Sequence, residues 1–102
     1  MTANGCGAPA QGTTLADAVV AKEAVVQGRV LRDGQPACPA YVRLLDRSGE
    51  FTAEVPVSQA GEFRFFAGPG EWTVRALVPG APSADRLVSA EIGSIAEVDI
   101  LV

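Results

Sequence analysis

The strongest constraint on this chain is the regular alternation of short β-branched or aromatic runs with turns rich in Gly and Pro. The turn segments recur about every ten residues and are Asp33-Gly34, Arg47-Ser48-Gly49, Gln59-Ala60-Gly61, Gly68-Pro69-Gly70, Pro79-Gly80-Ala81-Pro82-Ser83 and Gly93-Ser94. No segment between them is long enough for the crossover helix that a parallel sheet needs. The sequence therefore predicts an all-β fold, an antiparallel β-sandwich of about seven strands.

Alternation of apolar and polar residues assigns the inner face of each predicted strand. The run 51–58 alternates along its length and places Phe51, Ala53, Val55 and Val57 on one face. Pro56 lacks a backbone N–H, so this strand is predicted at a sheet edge or with a bulge. The same reasoning directs these residues inward: Phe63, Phe65, Trp72, Val74, Ala76, Val98, Ile100 and Val102.

The N-terminal part of the chain differs in composition from the rest. Residues 1–14 are rich in Gly, Ala, Thr and Pro, which predicts a flexible tail. Residues 15–23 are ambiguous, since Thr14 and Asp17 could cap a short helix while the following valines favour extended chain. The sandwich domain is predicted over residues 24–102.

Charge and composition exclude several classes of function. The chain has 102 residues, which suits one domain, and its eight basic and twelve acidic residues give a formal net charge of −4. The basic residues are scattered, which argues against nucleic-acid binding. Histidine is absent, so the commonest general base and metal ligand is missing. We therefore expect no metal, no cofactor and no independent enzymatic activity.

The N-terminal residues and the number of cysteines indicate the cellular compartment of the protein. The first residues lack the basic and apolar regions of a secretory signal, and no run approaches the ~20 apolar residues of a membrane span. These features predict a cytoplasmic protein without membrane contact. The two cysteines, Cys6 and Cys38, are then expected to be free thiols. The alternative is a disulfide that would tie the N-terminal tail to the first hairpin.

The alternation of side chains between the two faces of a strand also predicts an exposed interaction surface. If Val42 and Leu44 are core residues, then Tyr41, Arg43 and Leu45 face outward. Together with Phe66 they would mix apolar groups and arginine, a composition enriched at protein interfaces. The same parity directs outward three residues of the first strand, Val25, Arg29 and Leu31. In the alternative interpretation, segment 15–24 folds over these exposed residues.

The order of several segments resembles a known type of module. These segments are Val26-Gln27-Gly28-Arg29-Val30, Asp33-Gly34-Gln35-Pro36, Ala40-Tyr41-Val42-Arg43-Leu44, Gly61-Glu62-Phe63-Arg64-Phe65 and Pro69-Gly70-Glu71-Trp72-Thr73-Val74. They resemble the carboxypeptidase regulatory-like, or transthyretin-like, β-sandwich over residues 24–102. The resemblance implies two sheets and about seven strands, and says little about function.

A narrower resemblance extends over nearly the whole chain. It includes Cys6-Gly7-Ala8-Pro9, Gln11-Gly12, Val42–Asp46, Glu50–Val55 and Gly61–Ala67. These segments resemble the SseC-type proteins, domains of unknown function whose genes lie beside a rhodanese-type thiosulfate sulfurtransferase. The resemblance implies a link to sulfur metabolism. It also implies that Cys6 corresponds to the cysteine that these proteins have in their N-terminal tail.

Two functional hypotheses follow from the sequence and this resemblance. In the first, the protein is a non-catalytic partner of the sulfurtransferase in which Cys6 accepts sulfane sulfur, since a thiolate in an accessible tail can attack a persulfide. In the second, it is a structural or binding module without covalent chemistry. Substitution of Cys6 distinguishes them.

Overall fold

The computed structural model describes residues 23–102. The tail predicted over residues 1–14 and all but the last residue of the lead-in predicted over residues 15–23 lie outside the described residues. The described range contains eight β-strands and no helix. The strands are β1 (Ala24–Arg32), β2 (Gln35–Pro36), β3 (Tyr41–Leu45), β4 (Phe51–Pro56), β5 (Glu62–Ala67), β6 (Gly70–Leu77), β7 (Ala84–Ala90) and β8 (Ile95–Leu101). The all-β prediction is confirmed. The eighth strand is β2, a two-residue segment predicted as loop.

The strands form two four-stranded sheets that pack as a sandwich. Sheet A contains β1, β2, β5 and β8, and sheet B has the order β4-β3-β6-β7. Every pairing is antiparallel except β1 with β8, which is parallel over Val25–Leu31 and Ile95–Leu101. No crossover helix is needed for this pair, because the chain between β1 and β8 passes through both sheets.

The core lies between the inner faces of the two sheets. Phe63 on β5 is its largest fully buried side chain, and its ring centroid lies 6.1 Å from that of Phe65. The predicted inward residues of β6 and β8 belong to this core or pack against its edge, as the alternation indicated. The main members are Val26, Val30, Val42, Leu44, Val57, Phe63, Phe65, Val74, Ala76, Val98 and Ile100.

A tight hairpin connects β1 to β2. Asp33 and Gly34 both have positive φ values, 55° and 80°, which is the combination that a type I′ turn requires. This turn allows Leu31 and Arg32 to pair with Pro36 and Gln35. The backbone N–H of Ala37 then donates to the carbonyl of Val30 at 2.9 Å, which fixes the following loop beside the end of β1.

Strand β4 lies at the edge of sheet B, as Pro56 predicted, but its first residue differs from the expected alternation. The register with β3 shifts between Leu44, opposite Ala53, and Leu45, opposite Phe51. This β-bulge adds one residue on β4 and reverses the face on which Phe51 lies. The inward prediction for Phe51 is therefore wrong, and its side chain is 62% exposed.

Val25 also differs from its prediction. It lies on the outer face of β1, between Phe66 of β5 and Ile95 of β8, and outside the core cluster between the sheets. Its accessible surface is nevertheless 0%. The alternation along the strand predicted the face of Val25 correctly, but the expectation that its side chain is exposed is wrong.

Candidate functional site

Cys38 lies in the loop between β2 and β3 and is disulfide-bonded. The expectation of a free thiol is wrong for this residue. The sequence holds one other cysteine, Cys6. Cys6 itself lies outside the described residues. The compartment argument that favoured free thiols carried no information about the surroundings of this loop in the folded chain.

Cys38 lines a surface groove of about 380 Å³. The other lining residues are Arg32, Asp33, Gln35, Pro36, Ala37, Pro39, Val78 and Pro79. Three prolines and the β1–β2 turn form most of its wall, and Arg32 brings the one cation among the lining residues. The groove can receive a small polar or anionic group beside the disulfide. It holds no base or acid suited to proton transfer near neutral pH.

The four residues predicted to form an interaction surface do not come together. Tyr41 and Arg43 lie on the outer face of sheet B, whereas Phe66 lies on the outer face of sheet A, on the opposite side of the sandwich. Leu45 is buried, with 5% of its surface exposed, because its strand is central in sheet B and it lies between Phe51 and Thr73. The exposure predicted for Leu45 is therefore wrong.

The outer face of sheet B contains an exposed set of residues that we call the sheet B surface: Tyr41, Arg43, Phe51, Arg75 and Leu87. Arg43 and Arg75 are direct cross-strand neighbours on β3 and β6. The Arg43 guanidinium carbon lies 5.7 Å from the centre of the Phe51 ring, within the range of a cation–π contact. Tyr41, Phe51 and Leu87 are 40%, 62% and 83% exposed.

Each arginine of this surface is paired with a carboxylate on the neighbouring edge strand. Arg43 Nε donates to Glu54 Oε1 at 2.6 Å. Arg75 forms a two-point contact with Asp85, in which Nε and an Nη donate at 2.8 and 3.0 Å. The carboxylates hold the two guanidinium groups side by side, where like charges would otherwise repel.

The Arg75–Asp85 pair has a measurable electrostatic signature. The hydrogen bonds from Arg75 are the main cause of a lowered pKa of the Asp85 carboxyl and of a raised pKa of Arg75. Because the pair is exposed, solvent screening makes its net contribution to stability small.

We expect Asp85 to titrate below its ordinary value of 3.8, and Arg75→Gln to move its pKa back toward that value. The ionised carboxylate is favoured in the folded state, so its contribution to stability is present above about pH 4 and is lost as the pH falls through the lowered pKa. Carboxyl carbon shifts followed by NMR during an acid titration measure both effects. An unchanged Asp85 midpoint in Arg75→Gln would contradict the pairing.

The carboxylate of Asp46 stabilises the turn between β3 and β4. Its carboxylate Oδ1 accepts hydrogen bonds from the Glu50 N–H at 2.9 Å, the Ser48 hydroxyl at 2.8 Å and the Ser48 N–H at 2.9 Å. These contacts, led by that of the Glu50 N–H, lower the pKa of Asp46. The carboxylate closes the β3–β4 turn.

Among residues 23–102, no group of three or more Cys, Asp and Glu side chains is arranged to hold a metal ion.

The outer face of sheet A is polar in its middle and apolar at one end. Arg64 Nε donates to Gln27 Oε1 at 2.9 Å, and Arg29 pairs with Asp99 at 3.2 Å. A groove of about 370 Å³ is lined by Gln27, Arg29 and Asp99, together with Glu62 and Glu97. The apolar end consists of Val25, Phe66 and Ile95, which are cross-strand neighbours.

Sequence reasoning missed Phe51, Arg75 and Leu87 as members of an exposed surface. The bulge that turns Phe51 outward has no local signal in an otherwise regular alternation. That Arg75 and Leu87 belong to the same surface as Tyr41 follows only from the strand order, in which β6 pairs with β3 and β7 pairs with β6. Parity alone would have placed both on the outer face of their own strands.

The fold and these surfaces define a small all-β sandwich that presents an arginine and aromatic face. The chain belongs to a family described as a protein of unknown function, DUF1416, whose profile matches residues 6–102. It is similar to two uncharacterized proteins of Mycobacterium tuberculosis strain H37Rv, Rv0814c and Rv3118. Each is 52% identical over 97 residues, covering 93% of this chain and 96% of the relative.

A third relative extends the comparison to another mycobacterial species. An uncharacterized protein of Mycolicibacterium smegmatis is 52% identical over 82 residues, which cover 79% of this chain and 90% of the relative. In the part of the chain that the structure describes, no helix is long and apolar enough to cross a membrane.

Proposed function

We propose that this protein is a non-catalytic accessory partner of a rhodanese-type thiosulfate sulfurtransferase and docks through the sheet B surface. The observation that carries the proposal is the exposed arrangement of Tyr41, Arg43 and Phe51 around Arg75. Aromatic residues and arginine dominate binding energy at protein interfaces, and here the sheet holds them rigidly. The choice of partner rests on the resemblance to the SseC-type proteins.

The electrostatics of this surface suit a partner with exposed carboxylates. Arg43 uses its Nε for Glu54, so its two terminal nitrogens are available to donate to a partner. A carboxylate from the partner could join the arginine row while apolar groups cover Phe51 and Leu87. Such a contact combines an apolar centre with charge-assisted hydrogen bonds.

Sulfur acceptance by Cys6 is the second part of the proposal, and the disulfide of Cys38 defines its first step. A dithiol reductant must open the disulfide, which yields two thiols, that of Cys38 among them, and oxidises the reductant to its own disulfide. The Cys6 thiolate then attacks the outer sulfur of the enzyme's persulfide. The persulfide S–S bond breaks, the enzyme's cysteine thiolate leaves, and Cys6 carries the new persulfide.

We expect the reduced protein to co-elute with the sulfurtransferase on a sizing column and, with thiosulfate present, to gain one sulfur atom by intact mass. The double variant Arg43→Glu/Phe51→Ser should lose co-elution, with binding weakened about tenfold or more. Ile92→Ser is the matched control, because Ile92 is 61% exposed but lies outside the sheet B surface. Cys6→Ser should retain co-elution and gain no sulfur.

The disulfide also favours a second candidate, a binding module without covalent chemistry, because the one cysteine among residues 23–102, Cys38, is disulfide-bonded and offers no thiol. The same experiment separates the two. Co-elution without sulfur gain in the reduced wild type supports the binding module alone. Absence of both contradicts the partnership with a sulfurtransferase.

A further inference from the structure

Strand β8 forms an edge of sheet A, because within residues 23–102 it pairs with β1 alone. Two hydrogen bonds show which of its backbone groups face β1. The Val25 N–H donates to the Ser94 carbonyl at 3.2 Å, and the Val102 N–H donates to the Leu31 carbonyl at 2.9 Å. The N–H and C=O of one residue point to the same side of a strand, and that side alternates along the chain. The backbone groups that point away from β1 therefore belong to Ile95, Glu97, Asp99 and Leu101, which we call the β8 edge row.

The β8 edge row carries a single hydrogen bond from the part of the chain that the structure describes. It comes from the Arg86 side chain on β7, whose Nη1 donates to the Asp99 carbonyl at 2.9 Å. A row of unpaired N–H and C=O groups is a template on which a further strand can pair. Arg86 covers one acceptor of this template and leaves the remaining donors and acceptors open.

Two other edge strands carry features that hinder the addition of a strand. In β4, Pro56 lacks a backbone N–H, and the bulge beside Leu45 interrupts the regular ladder. In β5, the adjoining loop already bonds the first residue, since the Glu62 carbonyl accepts from the Ser58 N–H at 3.0 Å and the Glu62 N–H donates to Ser58 Oγ at 3.3 Å. The β8 edge row has neither a proline nor a bulge.

The side chains of the β8 edge row determine which strand can pair with it. Ile95 and Leu101 at its ends are exposed, and the carboxylates of Glu97 and Asp99 lie between them. Like charges directly opposite each other across two strands are destabilising. A second copy of β8 in full antiparallel register would place Glu97 of one chain opposite Asp99 of the other, and a shift by two residues would place one of these carboxylates opposite itself. The row therefore disfavours pairing with itself.

The same charges favour a basic strand. Asp99 is paired with Arg29 at 3.2 Å, whereas Glu97 contacts the neutral amide of Gln27 at 3.4 Å. Glu97 thus has no cation beside it among the described residues. A basic side chain directly opposite Glu97 would supply the missing opposite charge, and opposite-charge pairs across strands are stabilising.

We propose that the β8 edge row binds an extended segment of a partner protein by antiparallel strand addition. The segment has basic residues opposite Glu97 and Asp99 and apolar residues opposite Ile95 and Leu101. Main-chain hydrogen bonds give the affinity of such a complex, and the alternate side chains give its specificity. The Arg86 guanidinium leaves the Asp99 carbonyl when the ladder forms. This site is independent of the sheet B surface, so its failure would not affect the proposed sulfurtransferase partnership.

The synthetic peptide acetyl-Val-Thr-Lys-Thr-Lys-Thr-Val-amide tests the proposal when titrated into the isotope-labelled full-length protein. We expect saturable amide shift changes centred on the β8 edge row. The same peptide with glutamate in place of both lysines should bind at least about tenfold more weakly. N-methylation of the two lysine amides should abolish binding, because these N–H groups face β8. N-methylation of the central threonine, whose N–H faces away, should change the affinity by about twofold or less.

Protein variants separate the edge from net charge. Glu97→Lys should weaken binding of the lysine peptide about tenfold. Glu91→Lys is the matched control, because Glu91 is exposed, lies outside β8 and changes the net charge equally. Arg86→Ala should strengthen binding about fivefold, since it frees the Asp99 carbonyl and removes a cation. An equal loss in Glu97→Lys and Glu91→Lys would overturn the proposed pairing.

The remaining outcomes identify other occupants or none. Absence of shift changes at millimolar peptide overturns the proposal, as do shift changes that map to the sheet B surface. Sedimentation of the protein alone tests self-pairing. A dimer whose formation broadens the amide signals of the β8 edge row would assign this edge to a second copy of the chain and contradict the basic partner.

Discussion

Replacing Gly28 with alanine is expected to lower the free energy of unfolding by about 4 kcal/mol or more, a large fraction of the stability of a domain of this size. Gly28 lies in β1 between Phe63 of β5 and Val98 of β8. A Cβ atom at this position would lie 2.6 Å from the carbonyl carbon of Val98 and closer still to its oxygen. Both atoms belong to the backbone, so no side-chain rotation relieves the overlap.

The overlap would separate the parallel β1–β8 pair, which closes one side of sheet A. Chemical denaturation of the full-length protein measures the loss, and Gly68→Ala is the matched control. A Cβ at Gly68 meets nothing within 4 Å, so this variant should remain within about 0.5 kcal/mol of wild type. If Gly28→Ala were as stable as Gly68→Ala, the close approach of β1 and β8 would be wrong.

The parallel pair shows where prediction from the sequence reached its limit for the fold. Turn residues and alternation define where strands begin, end and face, and these are local properties. They led to the sandwich, the edge position of β4 and the inward faces of Phe63 and Val98. Pairing between β1 and β8 joins segments more than 60 residues apart, and no local pattern encodes it.

The candidate site shows the same division between local and long-range information. Parity placed Tyr41 and Arg43 on an outer face, which is correct. It could not show that Phe66 faces the opposite way across the sandwich, since this depends on which sheet contains β5. The bulge that exposes Phe51 and the disulfide of Cys38 are equally products of the assembled structure.

Phe63→Ala is the second substitution with a large expected effect, a loss of about 3–5 kcal/mol in the free energy of unfolding. Phe63 is the largest of the fully buried side chains and packs between the sheets beside Phe65. Truncation removes its apolar surface from the core and leaves a cavity that the two hydrogen-bonded sheets cannot collapse to fill. Denaturant unfolding monitored by far-UV circular dichroism measures the loss.

Phe51→Ala is its matched control, because the same side chain is removed from an exposed site. Phe51 contributes only its contact with Arg43 and partial burial, so this variant should lose about 1 kcal/mol or less. The two variants thereby separate stability from docking. Phe63→Ala should lose much of the stability of the fold, whereas Phe51→Ala should remain folded and weaken binding through the sheet B surface. Equal destabilisation by both would mean that Phe51 is part of the core, and its assignment to an interaction surface would fail.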